Sequence, residues 1–195
     1  MTEPKNLWET AWKLLHRGQA DPKHAYRSPV VGTLSPTLHP RTRTLILRKA
    51  QPSTGELWCY TDRRSGKAAD LAVHPRMSWT FWDPRQRIQF SGSGLTRWLP
   101  LRETDERFRQ LPKHSRKAYA TLAAPGTPLA EAGDGLPADW SQLSEAETDF
   151  ARDNFGILVT WLDRVEILRL AKTGQRRLLA TREAEAEWQL GWVVP

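Results

Sequence analysis

Arg43-Thr44-Leu45-Ile46-Leu47-Arg48, then Tyr60-Thr61-Asp62-Arg63-Arg64-Ser65-Gly66-Lys67, then Gln89 ahead of Ser91-Gly92-Ser93-Gly94, are the stretches on which the reading turns. The first is rich in residues that suit a pleated surface and reads as a strand over Thr44 to Leu47, running on into Arg48-Lys49-Ala50. Alternation sends Arg43, Leu45 and Leu47 to one face and Thr44 and Ile46 to the other. Pro52-Ser53-Thr54-Gly55 is a turn, and Leu57 to Thr61 returns as the second arm of a hairpin. Asp62 to Gly66 is a polar cationic turn that opens a helix from Lys67 through Val73, stopped at His74-Pro75. Gln89 lies in a strand from Arg87 to Trp98, where the glycines at 92 and 94 mark a bulge or the close approach of another backbone.

Working outward, Asn6 to Arg17 carries Leu7, Trp8, Ala11, Trp12, Leu14 and Leu15 at helical spacing, with Asn6 as N-cap and Glu9 three residues on. Pro29 to Leu34 and Met77 to Trp82 read as strands. Arg102 to Leu111, Ser115 to Leu122 and Ser144 to Asn154 read as helices, the last with a capping box between Ser144 and Glu147. Three strands follow, Ile157 to Trp161, Val165 to Leu170 and Arg177 to Thr181, with Lys172-Thr173-Gly174 as a turn, and Glu187 to Val194 closes the chain. Sequential antiparallel strands with short turns favour a mainly β (α+β) barrel or Greek-key sheet with peripheral helices over a doubly wound sheet. The expected organisation is one domain: a helical segment over 1–27, core strands over 28–98, a helical and loop insertion over 99–155, and closing strands over 156–195.

Bulk properties narrow the function. The 195 residues suffice for one full core, and 39% apolar with 26% charged residues is ordinary globular composition. Ten Trp against three Tyr and five Phe point first to core packing, then to an interface or a flat ligand. The net charge of +7 permits anionic partners, but the basic residues form no long run, so neither nucleic acid nor membrane is expected as a partner. Cys59 is the only cysteine, which excludes an intramolecular disulfide, and its place in an apolar strand suits an inert core thiol. The five His are scattered, so no metal site is expected, and no nucleophile-elbow or phosphate-loop motif appears. The start of the chain has no apolar signal core, and the cytoplasm is the expected compartment.

A phosphate needs cations and N–H donors, and the start of a helix offers the latter. Arg43 at a strand end, with Thr61, Ser65 and Lys67 around the turn, meets that need. Gln89 both donates and accepts, which suits the mixed polar edge of a flat heterocycle. Singly, each of these residues is as well read as a solvated strand end, a turn residue or a surface lysine, so their order and spacing carry the case.

In that order and spacing the sequence resembles the FMN-binding proteins of the pyridoxamine 5'-phosphate oxidase-like family, over roughly residues 28 to 98. The family pattern is Arg-x-Val-Leu-Leu, a hairpin, a Tyr-Thr pair, a Ser, a Lys at a helix start and a Gln before a strand glycine. Here it reads Arg43 to Leu47, Tyr60-Thr61, Ser65, Lys67, and Gln89 ahead of Gly94. The resemblance implies an antiparallel split β-barrel and a homodimer whose groove holds FMN. Arg43, Ser65 and Lys67 would take the phosphate with help from Thr61. Thr44, Leu45, Ile46 and Tyr60 would flank the flavin, and Gln89 would bond its edge. The family often places Arg directly before the Lys, where this chain has Gly66, and Arg64 is a candidate for supplying that charge.

The closing half departs from the true oxidases. Leu168 stands where they carry Trp, and Arg177-Leu178-Leu179-Ala180-Thr181 lacks the His and second Arg of their substrate motif. Ser115 is read as a helix cap before a cofactor contact. The expected function is therefore FMN-dependent oxidoreduction of an unidentified small molecule, with catalytic residues unassigned. The alternative is a non-catalytic protein of the same fold that binds FMN or another anionic ligand.

Overall fold

A computed structural model describes residues 3–183 and 186–195. The chain opens with α1 (Pro4–Ala20) and a single 3-10 turn (Ala25–Arg27), followed by β1 (Val30–Leu34), β2 (Pro40–Thr44), β3 (Leu47–Gln51) and β4 (Glu56–Asp62). Next come α2 (Gly66–Val73), β5 (Arg76–Asp83) and β6 (Ile88–Trp98). The helical region holds α3 (Leu101–Arg109), the short α4 (Lys113–Arg116) and two 3-10 segments (Lys117–Tyr119 and Ala146–Asp153). The chain ends with β7 (Phe155–Arg169), β8 (Arg176–Thr181) and β9 (Gln189–Val193).

All strand pairs are antiparallel, and the main path runs β2-β1-β5-β6-β7-β4-β3, with β8 and β9 branching from β7. β7 produces the split. Along one edge it pairs with β6 (Leu158 to Arg169); along the other it pairs first with β4 (Phe155 to Trp161) and then with β8 (Arg164 to Arg169). The sheet therefore opens between β4 and β8, and the fold is an antiparallel split barrel with peripheral helices.

The core explains the sequence pattern. β5 alternates strictly, with Met77, Trp79 and Phe81 buried and Ser78, Thr80 and Trp82 exposed, because only one of its faces is covered. The first half of β7 is buried on both faces, so Ile157-Leu158-Val159 is apolar without alternation, and the buried Thr160 hydroxyl accepts from Trp79 Nε1. Leu158 faces the main core beneath α1, while Ile157 and Val159 face a second core of Phe108, Tyr119, Ala151 and Phe155. α1 lays Leu7, Ala11, Trp12, Leu14 and Leu15 onto the first core. Each large side chain so buried contributes about 1.5–3 kcal/mol. Trp12, Trp58 and Trp79 are buried in the cores, Trp8, Trp98, Trp140, Trp161 and Trp188 pack half-buried against them, and only Trp82 and Trp192 stand well exposed among the described residues. Cys59 is fully buried, and burial pushes its thiol up to about 12, so it stays protonated and inert at neutral pH.

Several elements differ from the sequence reading. Arg43 to Leu47 is not one strand: β2 ends at Thr44, pairs with β1, and hands over across Leu45 and Ile46 to β3, which pairs with β4. The Leu45 N–H bonds the Pro29 carbonyl at 3.1 Å, which fixes the crossing between the two parts of the sheet. Residues from Ile157 to Arg169 form one strand rather than two, because β6 supplies a continuous partner past Asp163 and Arg164. α1 begins at Pro4, and Asn6 lies inside it, where its carbonyl accepts from Thr10 Oγ1. Ser115 to Leu122 shortens to α4 and a 3-10 turn held by the buried Arg116, whose guanidinium donates to the Leu111 and Glu145 carbonyls and to Asp149. Ala146–Asp153 is 3-10 rather than α, yet the Ser144–Glu147 capping box forms reciprocally, Ser144 N–H to Glu147 Oε2 at 2.7 Å and Glu147 N–H to Ser144 Oγ at 3.3 Å.

Candidate functional site

The end of β4, the turn after it and the start of α2 meet the edge strand β2 at one corner of the sheet. β1 brings Thr33 opposite Arg41 and Val31 opposite Arg43, and α2 packs over β1. Alternation along β2 sends Arg41 and Arg43 to the same face, where both meet Asp70 from α2. Asp70 is fully buried. It accepts from Thr33 Oγ1 at 2.7 Å, pairs with Arg41 Nη1 at 3.1 Å and lies 3.7 Å from Arg43 Nη2. Arg43 also donates to Thr33 Oγ1 at 2.6 Å. A buried carboxylate without these partners would be strongly unfavourable, so Asp70 is what holds the two arginines at the corner.

Lys67 extends from the first turn of α2 back toward β4, donating to Thr61 Oγ1 at 2.7 Å and Ser65 Oγ at 2.9 Å. Ser65 Oγ donates in turn to the Asp62 carbonyl at 2.7 Å, so it does not cap α2. Burial holds the Lys67 ammonium below the usual lysine value, with Arg43 adding to the effect and Cys59, Asp62 and Asp70 opposing it. Burial also lowers Arg43, against the pull of Asp70. Asp62 belongs to Arg64, which it meets through Nε at 3.1 Å and Nη2 at 2.7 Å. Arg64 Nη2 also donates to the Thr121 carbonyl, so Arg64 ties the turn to the helical region.

Arg43, Thr61, Ser65 and Lys67 thus come together as the sequence suggests. Leu45 and Ile46 are half-buried at the β2–β3 crossing, Thr44 is exposed beside them, and Tyr60 is half-buried on β4 with the Arg48 guanidinium 4.8 Å from its ring centre. Gln89 does not join them within the chain. Along β7, Thr61 pairs with Gly156, whereas Gln89 pairs with Leu168, twelve positions further on. Its amide donates to Ser91 Oγ at 3.1 Å. Arg177 lies beside Leu168 and is engaged by Glu166. Ser115 sits inside α4 and caps nothing, since the cap position is Pro112. Sequence reasoning singled out neither Asp70, which lies within the helix after Lys67, nor Arg41, which lies outside the quoted pattern.

Fold and corner together define an antiparallel split-barrel protein with a cluster of cations at the start of a helix. Residues 7–99 match the family model described as pyridoxamine 5'-phosphate oxidase, FMN-binding domain. Over that stretch, a little under half of the chain, the sequence is similar to that family. A pyridoxine/pyridoxamine 5'-phosphate oxidase of Bacteroides fragilis is 38% identical over 88 residues, covering 45% of this chain and 36% of that protein. The counterpart from Bacteroides thetaiotaomicron is 34% identical over 102 residues, covering 52% and 46%. The matches therefore span less than half the length of these relatives.

Among solved structures, a pyridoxamine 5'-phosphate oxidase-related, FMN binding protein from Nostoc punctiforme superposes with a TM-score of 0.73 at 22% identity, over 96% of each chain. PhzG from Burkholderia lata, solved in complex with tetrahydrophenazine-1-carboxylic acid, gives 0.70 at 14% identity, over 100% of this chain and 94% of its own. At these identities the likeness is one of fold.

Proposed function

We propose that this chain binds FMN and acts in the cytoplasm as a homodimeric flavin-dependent oxidoreductase on a small-molecule substrate. One observation carries the reading. Arg41, Arg43 and Lys67 surround a single buried carboxylate, Asp70, which leaves two positive charges over, beside the hydroxyls of Thr61 and Ser65 and an uncapped helix start. A phosphate monoester near neutral pH carries about two negative charges, so the corner matches it in charge and in donors.

In this reading Arg43 and Lys67 take the phosphate, with Ser65 and Thr61 as hydroxyl partners. Thr44, Leu45, Ile46 and Tyr60 line the ring. Bound FMN supplies hydride transfer at its ring, and the protein's part is to hold that ring, exclude water and set the polarity of its edge. Gln89 reaches the same cofactor only from a second copy of the chain, because it lies at the far end of β7 from Thr61. The name-giving reaction of the family is not proposed. Leu168 offers no aromatic surface, Leu179 no imidazole, and the Arg177 guanidinium is held by Glu166. That occupied arginine also favours a second reading, a carrier or sensor that holds FMN without turnover.

The test is size-exclusion of the purified protein with flavin absorbance recorded. The expected result is a yellow dimer whose colour is bleached by dithionite and by NADH or NADPH. Colour that no nicotinamide donor or dye exchanges electrons with selects the carrier reading. A yellow monomer removes Gln89 from the site, and a colourless protein that gains no thermal stability from added FMN rejects FMN binding.

The pH dependence follows from Lys67. FMN affinity is expected to rise through roughly pH 6 as the phosphate becomes a dianion, then to fall on the alkaline side before the usual lysine range, because burial lowers the Lys67 pKa. In the same window FMN binding draws a proton onto Lys67. The FMN-free protein is stabilised there as pH rises, since the unfolded state binds that proton more tightly. Calorimetric titration in two buffers of different ionisation enthalpy measures the uptake; no uptake and a plateau extending through the usual lysine range would contradict the assignment.

A further inference from the structure

Gly66 opens α2 immediately before Lys67, and its surroundings are unusual. A Cβ built on Gly66 would meet one atom within 4 Å, Arg41 Nη1 at 3.5 Å. The space a side chain at position 66 would enter is therefore bordered by a guanidinium that comes from a different element. Arg41 stands on the edge strand β2, with about half of its side chain exposed.

We propose that Arg41 is a third cationic ligand for the phosphate, and that Gly66 keeps the room it occupies. This rests on the FMN reading above. Three features support it. Asp70 anchors Arg41 through one bond, Nη1 to Oδ1 at 3.1 Å, and so holds its guanidinium at the corner. About half of the Arg41 side chain is exposed, and a guanidinium has five N–H donors, of which Asp70 takes one here. Without Arg41 the corner keeps only one positive charge over, which is short of a phosphate dianion. A planar fork approaching from β2 adds bidentate geometry to the single point charge of Lys67. The sequence departure at Gly66 and the outlying arginine are then one change: the charge enters from the strand instead of the helix.

The experiment uses the full chain stripped of flavin, titrated with FMN and with riboflavin, which lacks the phosphate, by flavin fluorescence. The variants are Arg41→Ala, Arg41→Lys, and Arg41→Ala combined with Gly66→Arg, each checked by thermal melting. Arg41→Ala is expected to lose about tenfold in FMN affinity, the scale of one charge-assisted hydrogen bond, and to keep its riboflavin affinity. Arg41→Lys falls between, and Gly66→Arg in the Arg41→Ala background restores most of the loss. Wild-type FMN affinity in Arg41→Ala overturns the proposal, as does an equal loss for both flavins. A loss that Gly66→Arg leaves unrepaired overturns the role given to Gly66. If the wild-type chain binds no FMN, the underlying reading fails together with this one, whereas wild-type binding with an unaffected Arg41→Ala fails this one alone.

Discussion

Lys67→Met is expected to lower FMN affinity about a hundredfold, with Arg43→Ala close behind, while both variants still fold. Lys67 is partly buried and donates to two hydroxyls, Thr61 Oγ1 and Ser65 Oγ. Its ammonium therefore meets a ligand in a site of reduced dielectric, where a charge-assisted hydrogen bond is worth about 1.5–3 kcal/mol and each 1.4 kcal/mol is tenfold. Met keeps the length of the side chain and removes the charge. Burial already disfavours that charge in the free protein, so the FMN-free variant is expected to melt no lower than wild type. Arg43 is less free to be lost, because it also supports Thr33 and Asp70, and Arg43→Ala is expected to lower the melting temperature slightly. Fluorescence titration alongside thermal melting reads both effects. Wild-type FMN affinity in the two variants would remove the corner from the site.

Gly94→Ala is expected to be the most damaging small substitution in the barrel. A Cβ there would sit 1.9 Å from the Trp161 carbonyl oxygen, 2.5 Å from its carbon and 2.7 Å from Leu162 Cα, all backbone atoms. The register between β6 and β7 shifts at Ser93 and Gly94, so the two strands approach most closely where the bulge lies. Neither strand can yield, since β6 is also paired with β5 along its length and β7 with β4 and β8. The cost is about 3 kcal/mol or more, which lowers the melting temperature by roughly 6–12 °C in a chain of this size. Gly133→Ala is the control, because its Cβ would meet nothing within 4 Å. A Gly94→Ala protein that melts with the control would contradict the described pairing.

How much of this was legible in the sequence depends on range. β5 could be read from alternation alone, since one face is buried and the other bare. The β3–β4 hairpin followed from Gly55, whose positive φ the turn requires. The long β7 was divided wrongly because Asp163 and Arg164 look like a turn; only the distant partner β6 shows that the strand continues. Likewise Leu45 and Ile46 look like strand interior, and nothing local reveals that the chain is crossing between two parts of the sheet. At the site, Lys67 and Ser65 were legible because they share one turn with Thr61. Asp70 and Arg41 were not, because their meeting depends on α2 folding over β1 and on the edge position of β2. Gln89 was legible as a residue but not as a distance, since pairing along β7 sets it far from the corner.

The most direct test of the central claim is the ratio of FMN to riboflavin affinity in the flavin-stripped wild-type protein, measured at low and at high salt. If the corner of Arg43, Lys67, Ser65 and Thr61 grips a phosphate, FMN binds about a hundredfold more tightly than riboflavin or better, and added salt narrows the gap. Equal affinities for the two flavins, unmoved by salt, would contradict it.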